Sequence, residues 1–206
     1  TEEGGKETIN DEYVIEGDKT NKGEVDAKGV ENTEVKGNLD NQGKSEYDDM
    51  TIGDGGKSDN SGYEKGDILT IDKGGEHDNS GTSIWNNVTV ETGASSSVEA
   101  GGKETINDAY VIAGDRVNKG EVDATGVEST EVTGTLDNQG TSNYDDMTVG
   151  DGGKSNNSGY EKGDILIIED GGEHINSGTS IWNNQTVQVG GSATTEEGGK
   201  ETINDK

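Results

Sequence analysis

The chain has 206 residues and a formal net charge of −28, with 44 acidic side chains against 16 lysines and arginines. Only 24% of the residues are apolar, about half the share that is usual in a globular domain, which argues against an enzyme built on one large core. The charge argues against a nucleic-acid partner, because it would repel phosphates, and no apolar run is long enough to insert into a membrane. Cysteine is absent, so neither disulfides nor thiolate metal ligands can form.

The chain is built from a long internal repeat. Residues 1–97 align without gaps with residues 98–194, and 73 positions are identical. Residues 195–206 then restart the same unit, since they match residues 1–12 except at the last position. We therefore divide the chain into unit 1 (1–97), unit 2 (98–194) and the beginning of a third unit (195–206).

A shorter period lies inside each unit, marked by Asn-x-Gly at regular intervals. Asn79 and Asn118 are two periods apart with no Asn-x-Gly between them, which indicates one missing corner in segment 93–100. Each unit thus contains five coils of about 19–20 residues, a period typical of solenoid repeats. The predicted corner residues are Asn21, Gly23, Asn41, Gly43, Asn60, Gly62, Asn79, Gly81, Asn118, Gly120, Asn138, Gly140, Asn157, Gly159, Asn176 and Gly178.

Short β-branched runs lie between the corners, at residues 13–15, 68–71, 88–90 and 165–168. Their lengths are typical of strands and too short for helices. The pattern predicts an all-β fold: a parallel β-solenoid (β-helix) that runs continuously through residues 1–206, with coils stacked about 4.8 Å apart. A tandem pair of immunoglobulin-like β-sandwiches is the rival fold, and it accounts for the long period but not for the short one.

The corner residues have structural explanations. The glycine of each Asn-x-Gly is expected to adopt a positive φ, and the asparagines are expected to stack as a ladder of amide hydrogen bonds.

The histidines and aromatic residues also recur at equivalent positions in the two units. His77 and His174 lie next to a corner, and we expect them on the surface. Trp85 and Trp182 are expected to pack against the flank of the coil, with a glycan-stacking platform as the alternative. Packing roles are likewise expected for the tyrosine pairs Tyr13/Tyr110, Tyr47/Tyr144 and Tyr63/Tyr160.

Two acidic clusters recur at equivalent positions and are candidate calcium ligands: Asp48, Asp49 and Asp54, and Asp145, Asp146 and Asp151. Calcium prefers six to eight oxygen ligands, which adjacent coils could supply. The alternative is a solvated acidic face, since neither an EF-hand loop nor the glycine-rich calcium nonapeptide is present.

The remaining motifs are few. Asn87 and Asn184 begin N-glycosylation sequons. No catalytic grouping or cofactor motif is found, so the chain is not expected to be an enzyme.

Some segments resemble bacterial surface proteins. HINSGTSIWNNQTVQVGGSAT (174–194) resembles the repeats of AIDA-type autotransporter passengers, and LDNQGTS (136–142) is similar to turns of filamentous-haemagglutinin-type adhesins. The resemblance implies a right-handed β-helix, displayed outside a bacterial cell, that serves adhesion or aggregation.

From these observations we expect the chain to be the shaft of a long extracellular fibre or adhesin. A self-assembling filament subunit that stacks end to end is one alternative, and a glycan-binding module is another. The expected partners are other copies or neighbouring repeats, together with a host or neighbouring cell surface.

Overall fold

The computed structural model describes residues 1–204, and these form 23 β-strands and no helix. Within these described residues there is accordingly no helix that could cross a membrane. The strands are β1 Lys6–Thr8, β2 Tyr13–Ile15, β3 Asp18–Asn21, β4 Glu24–Val35, β5 Asn38–Asn41, β6 Lys44–Ile52, β7 Lys57–Asn60, β8 Tyr63–Lys65, β9 Ile68–Ile71, β10 Glu76–Asn79, β11 Thr82–Val90, β12 Ser95–Val98, β13 Lys103–Ile112, β14 Asp115–Asn118, β15 Glu121–Val132, β16 Thr135–Asn138, β17 Thr141–Val149, β18 Lys154–Asn157, β19 Tyr160–Ile168, β20 Glu173–Asn176, β21 Thr179–Val187, β22 Ser192–Thr195 and β23 Lys200–Ile203.

Each coil contributes a long strand to one parallel sheet and a four-residue strand to a second parallel sheet. Some long strands are divided near their middle, either by a register shift, as in β11 between Trp85 and Asn87, or by a break, as between β8 and β9. Strands pair with their equivalents one coil away, for example Asn41 with Asn60 and Asn118 with Asn138. The predicted parallel β-solenoid is therefore confirmed, and the β-sandwich rival is wrong. The right-handedness of the solenoid stays a prediction.

The register also locates the missing corner. Asn79 pairs with Val98, and Val98 pairs with Asn118, so Val98 occupies the asparagine position in the fifth coil. Its side chain is fully buried. Because Asn118 is the repeat equivalent of Asn21, the backbone returns to the same register at the start of unit 2.

The side chains alternate along most strands. The long strands β4 and β15 each bury one additional residue, Val30 and Val127, and the usual coil has six inward positions. Two lie on each half of the long strand and two on the short strand, and we call the space that they fill the lumen. One coil of unit 2 places Ser142, Tyr144, Met147, Val149, Ser155 and Asn157 there, all of them buried. Because only about half of the inward residues are large and apolar, a sequence this polar can still fill its core.

Aromatic residues in the lumen alternate with glycine. Trp85 is fully buried, and its ring lies parallel to that of Tyr47, two coils away, at a centroid distance of 6.2 Å. Gly66 is the inward residue between them, and a Cβ there would lie 2.1 Å from Cζ3 of the indole. Trp182, Tyr144 and Gly163 repeat this arrangement in unit 2. The expectation that the tryptophans pack on the flank of the coil is therefore wrong, since they fill the lumen.

The corner glycines have a different cause from the one expected. Positive φ angles occur at the first glycine of Gly-Gly turns, such as Gly55 and Gly152, and not at the glycines of Asn-x-Gly. In Asn-x-Gly the backbone of the neighbouring coil lies too close for a side chain: a Cβ on Gly62 would be 2.1 Å from the carbonyl oxygen of Gly43. Close stacking of coils, and not a left-handed conformation, therefore requires glycine there.

Candidate functional site

The predicted asparagine corners line the lumen as a ladder. Asn138 Nδ2 donates to Asn157 Oδ1 at 2.9 Å, and Asn157 Nδ2 donates to Asn176 Oδ1 at 3.0 Å. Each amide also donates to a backbone carbonyl, as Asn138 does to Tyr160 at 2.9 Å. Unit 1 contains the same ladder from Asn21 to Asn79, and Val98 separates the two. These residues are occupied by contacts within the solenoid, which is a structural role.

The lumen also holds ion pairs, which the sequence analysis missed. Glu104, on β13, contacts Arg116, on β14, across the same coil, and neither side chain is exposed to solvent. Arg116 also donates to Ser96, and its guanidinium lies 5.8 Å from the centre of the Tyr110 ring. The single arginine of the chain therefore neutralises a buried carboxylate.

Both histidines lie in the lumen, so the surface positions expected for His77 and His174 are wrong. His77 Nε2 is 2.7 Å from Glu64 Oε1, and both side chains are fully buried. In unit 2, His174 Nε2 is 3.1 Å from Glu161 Oε1, although the two atoms are not aligned for a hydrogen bond. Each histidine follows a glutamate directly in sequence, but inward alternation pairs it with a different glutamate, on the long strand of its coil.

A chain of hydrogen bonds extends the histidine pair. Trp85 Nε1 donates to Ser83 Oγ at 2.8 Å, and Ser83 Oγ donates to Glu64 Oε1 at 2.7 Å. Trp182, Ser180 and Glu161 repeat these bonds. Although the set contains serine, histidine and a carboxylate, serine donates to the carboxylate and not to the imidazole. The histidine is therefore not placed to activate that hydroxyl as a nucleophile.

The ion pairs follow one rule along the stack. An inward glutamate on the first half of the long strand is matched by a lysine, arginine or histidine on the short strand of the same coil. The four pairs are Glu7–Lys19, Glu64–His77, Glu104–Arg116 and Glu161–His174, of which the first is partly exposed. Other coils hold neutral residues at the two positions, such as Val122 and Leu136 or Ser142 and Ser155.

Charge and burial have opposite effects on these groups. Burial alone would lower the pKa of His77, but the charge of Glu64 and its hydrogen bond outweigh this and raise the pKa above its ordinary value. The imidazole is therefore held in the protonated form by its partner. Nδ1 of the ring and Oε2 of Glu64 have no hydrogen-bond partner, so the pair depends on a single contact.

The acidic clusters are only partly brought together. Carboxylate oxygens of Asp145, Asp146 and Asp164 lie within 4.8 Å of one another. Asp151 lies at a different corner, beside Gly171 of the next coil, so it does not join this group. Burial and the two neighbouring carboxylates raise the pKa of Asp146, against a hydrogen bond from the Ile165 amide. The three carboxylates therefore repel one another. Calcium binding by the acidic clusters stays a prediction.

Two equivalent grooves mark the outer surface, with volumes of about 320 and 380 Å³. Each is lined by lysine, glycine, aspartate and asparagine in the same positions: Lys65, Gly66, Asp67 and Asn86, and Lys162, Gly163, Asp164 and Asn183. The aspartate already accepts from the asparagine amide, at 2.7 Å in unit 1. The indoles of Trp85 and Trp182 are fully buried below, so a glycan platform built on their faces is wrong.

Comparisons with known proteins add little to this description. No protein-family model matches the sequence, and no curated protein matches it. Among solved structures, the chain is similar to a TibC-catalysed hyper-glycosylated TibA55-350 fragment. Sequence identity is 14%, the match covers 95% of this chain and 100% of that chain, and the TM-score is 0.38. The strand register therefore carries the assignment to the class of β-solenoids, and the likeness to TibA does not.

Proposed function

We propose that the chain is a shaft segment of a long extracellular bacterial surface fibre or adhesin. The carrying observation is the continuous register, in which every coil stacks on the next and the pattern repeats after each unit. Stacking ten coils at about 4.8 Å gives a rod of about 48 Å. Such a rod spaces its ends by a fixed distance, which is a mechanical function and not a catalytic one.

The distribution of charge supports an exposed rod. The buried ionisable groups are paired inside the lumen, so nearly all of the net charge of −28 lies outside. Uniform negative charge keeps rods apart and protects sheet edges from lateral pairing. The surface location is the further step in this proposal, and the sequence resemblance to autotransporter passengers supports it.

Small-angle scattering on chains of one, two and three units tests the shaft function. Each added unit should lengthen the rod by about 24 Å, five coils at about 4.8 Å, with a constant cross-section. On a displaying cell, the same series should move an end label outward in equal steps without changing what the label binds. A cross-section that grows with unit number would contradict the proposal, as would tight binding of a defined ligand by this chain alone.

End-to-end assembly is a second candidate, favoured by one observation. β22 is the repeat equivalent of β12, and β3 is the equivalent of β14, and β12 and β14 pair within the chain. On the short-strand sheet, one copy therefore carries both sides of an interface that already exists inside it. On the long-strand sheet, β23 already pairs with β21 in the position of its repeat equivalent β1, so assembly requires β1 of the next copy to replace β23. Val187 and Ile203 are exposed in the last coil, whereas their equivalents Val90 and Ile106 are fully buried.

Sedimentation across a concentration series distinguishes the two candidates. An assembling subunit gives growing filaments, and Val187→Lys with Ile203→Lys should abolish them. Val189→Lys is the matched control, because Val189 is exposed and so is its equivalent, Thr92. A shaft segment gives single rods whose sedimentation does not change with concentration.

A further inference from the structure

Both histidines of this chain lie in its core, whereas most of its acidic side chains lie on its surface. The chain contains two histidines and no cysteine, so between about pH 6 and 9 the ordinary titrating groups are these histidines and the N-terminal amine. Both histidines are buried in the lumen against a glutamate. A proton that His77 loses in this range therefore leaves the core, whereas the acidic surface keeps its charge.

We infer that the lumenal Glu64–His77 pair makes the solenoid pH-responsive, so that the fourth coil of unit 1 loosens as the pH rises through the neutral range. The geometry carries this inference. His77 on β10 is faced by Glu64 on β8, by Ser58 on β7 and by Ser96 on β12, with Glu104 and Arg116 further along the lumen. Glu76 and Asp78, its neighbours on β10, lie on the opposite face of that strand.

The second pair has similar surroundings. His174 on β20 is faced by Glu161 on β19, Ser155 on β18 and Ala193 on β22, and Ser180 on β21 donates to Glu161. Arg116, whose charge also acts on His77, is itself paired with Glu104. Loss of the imidazole proton of His77 therefore leaves the buried carboxylate of Glu64 beside a neutral ring, which is an unfavourable arrangement.

The direction of the effect follows from proton binding. The pKa of His77 is raised in the folded chain, so the folded state retains a proton that the unfolded state has lost. Stability is then full below the unfolded pKa of about 6.5 and falls as the pH rises through the folded pKa. Within that window, a histidine of this kind raises the unfolding equilibrium constant by up to about tenfold per pH unit.

The chain contains its own reference coil. Glu104–Arg116 occupies the same two positions, but a guanidinium does not lose its proton in this range. Amides of β14 should therefore keep their protection against hydrogen exchange as the pH rises, relative to those of β10. This contrast places the response in particular coils and distinguishes it from a general effect of pH.

The test compares urea unfolding from pH 5.5 to 9 in three proteins. Wild type should lose stability as the pH rises above about 6.5, and Glu64→Gln should remove that loss, because burial alone then holds the folded pKa of His77 below the unfolded one. Glu76→Gln is the control, since it removes a neighbouring outward carboxylate and should keep the wild-type slope. The N-terminal amine is common to all three proteins and cancels.

NMR titration of the histidine rings provides a measurement that does not depend on the unfolding transition. In the wild type, His77 should titrate above pH 6.5, and in Glu64→Gln, where burial acts alone, below it. A wild-type His77 that titrates at or below pH 6.5 would overturn the inference. So would a loss of stability above about pH 6.5 in Glu64→Gln equal to that of the wild type.

Discussion

Replacing the Glu104–Arg116 pair by residues from the adjacent coil tests how the lumen is stabilised. Val122 and Leu136 occupy the same two positions one coil further on. Arg116→Leu alone leaves the Glu104 carboxylate without its cation, and Glu104→Val alone leaves the guanidinium without its anion. Because both side chains are fully buried, each single change should cost about 3–5 kcal/mol of unfolding free energy.

The double variant Glu104→Val/Arg116→Leu should recover most of this loss. Removing both charges also removes their desolvation cost, so replacing a buried pair by apolar residues is often neutral or stabilising by about 1–4 kcal/mol. Against this stands the contact of Arg116 with the Tyr110 ring, worth about 0.5–2 kcal/mol. We therefore expect the double variant to lie within about 2 kcal/mol of the parent chain, given these opposing terms.

Urea unfolding at pH 7 measures the four free energies of this double-mutant cycle. Lys154→Met serves as a surface control, because Lys154 pairs with Glu173 at 2.9 Å with both side chains exposed, and its loss should cost less than about 1 kcal/mol. If the double variant lost as much stability as the two single variants together, the pairing of charges across the lumen would have no energetic role.

Three further predictions concern other parts of the fold. Asn138→Ala removes the acceptor of Asn118 and the donor to Asn157, so it should destabilise by about 1–3 kcal/mol in thermal unfolding, whereas Gln139→Ala at the exposed corner should change little. Gly163→Ala places a Cβ 2.1 Å from Cζ3 of Trp182 and should cost about 1–3 kcal/mol with loss of the near-UV tryptophan signal; Gly53→Ala, whose nearest atom would be 3.7 Å away, is its control. Asp146→Asn should stabilise the chain at pH 7 by roughly a few tenths of a kcal/mol after solvent screening. The reason is that the raised pKa of Asp146 reflects burial and repulsion, which are relieved when the carboxylate is protonated at low pH. A stability gain that persisted at pH 3 would contradict this cause.

The sequence predicts the repeat geometry well because that geometry depends on spacing. The intervals between Asn21, Asn41 and Asn60 are the strand registers themselves, and the gap after Asn79 locates the coil in which Val98 replaces asparagine. Backbone pairing between coils leaves little freedom once the period is known. The β-branched run at residues 68–71 likewise forms β9.

The interior was harder to predict, because composition does not say which way a polar side chain points. Glu64 and His77 look like surface residues when each is considered alone, and only the inward alternation of β8 and β10 brings them together. The same parity applied to Glu104 and Arg116 would have found that pair. Gly66 was missed for a different reason, since it is the size of Trp85 in the next coil that excludes a side chain there.

The strand register repeats after each whole unit, and this limits how such an array can change length. Removal or duplication of one whole unit joins two coils that already adjoin elsewhere in the chain, so every ladder and every lumenal pair is preserved. A loss of one coil alone would place unlike lumenal layers against each other, for example the Trp85 coil against a coil that lacks the matching glycine. Recombination between the near-identical units should therefore yield viable variants only in whole-unit steps, and natural length variants of this array should differ by complete units.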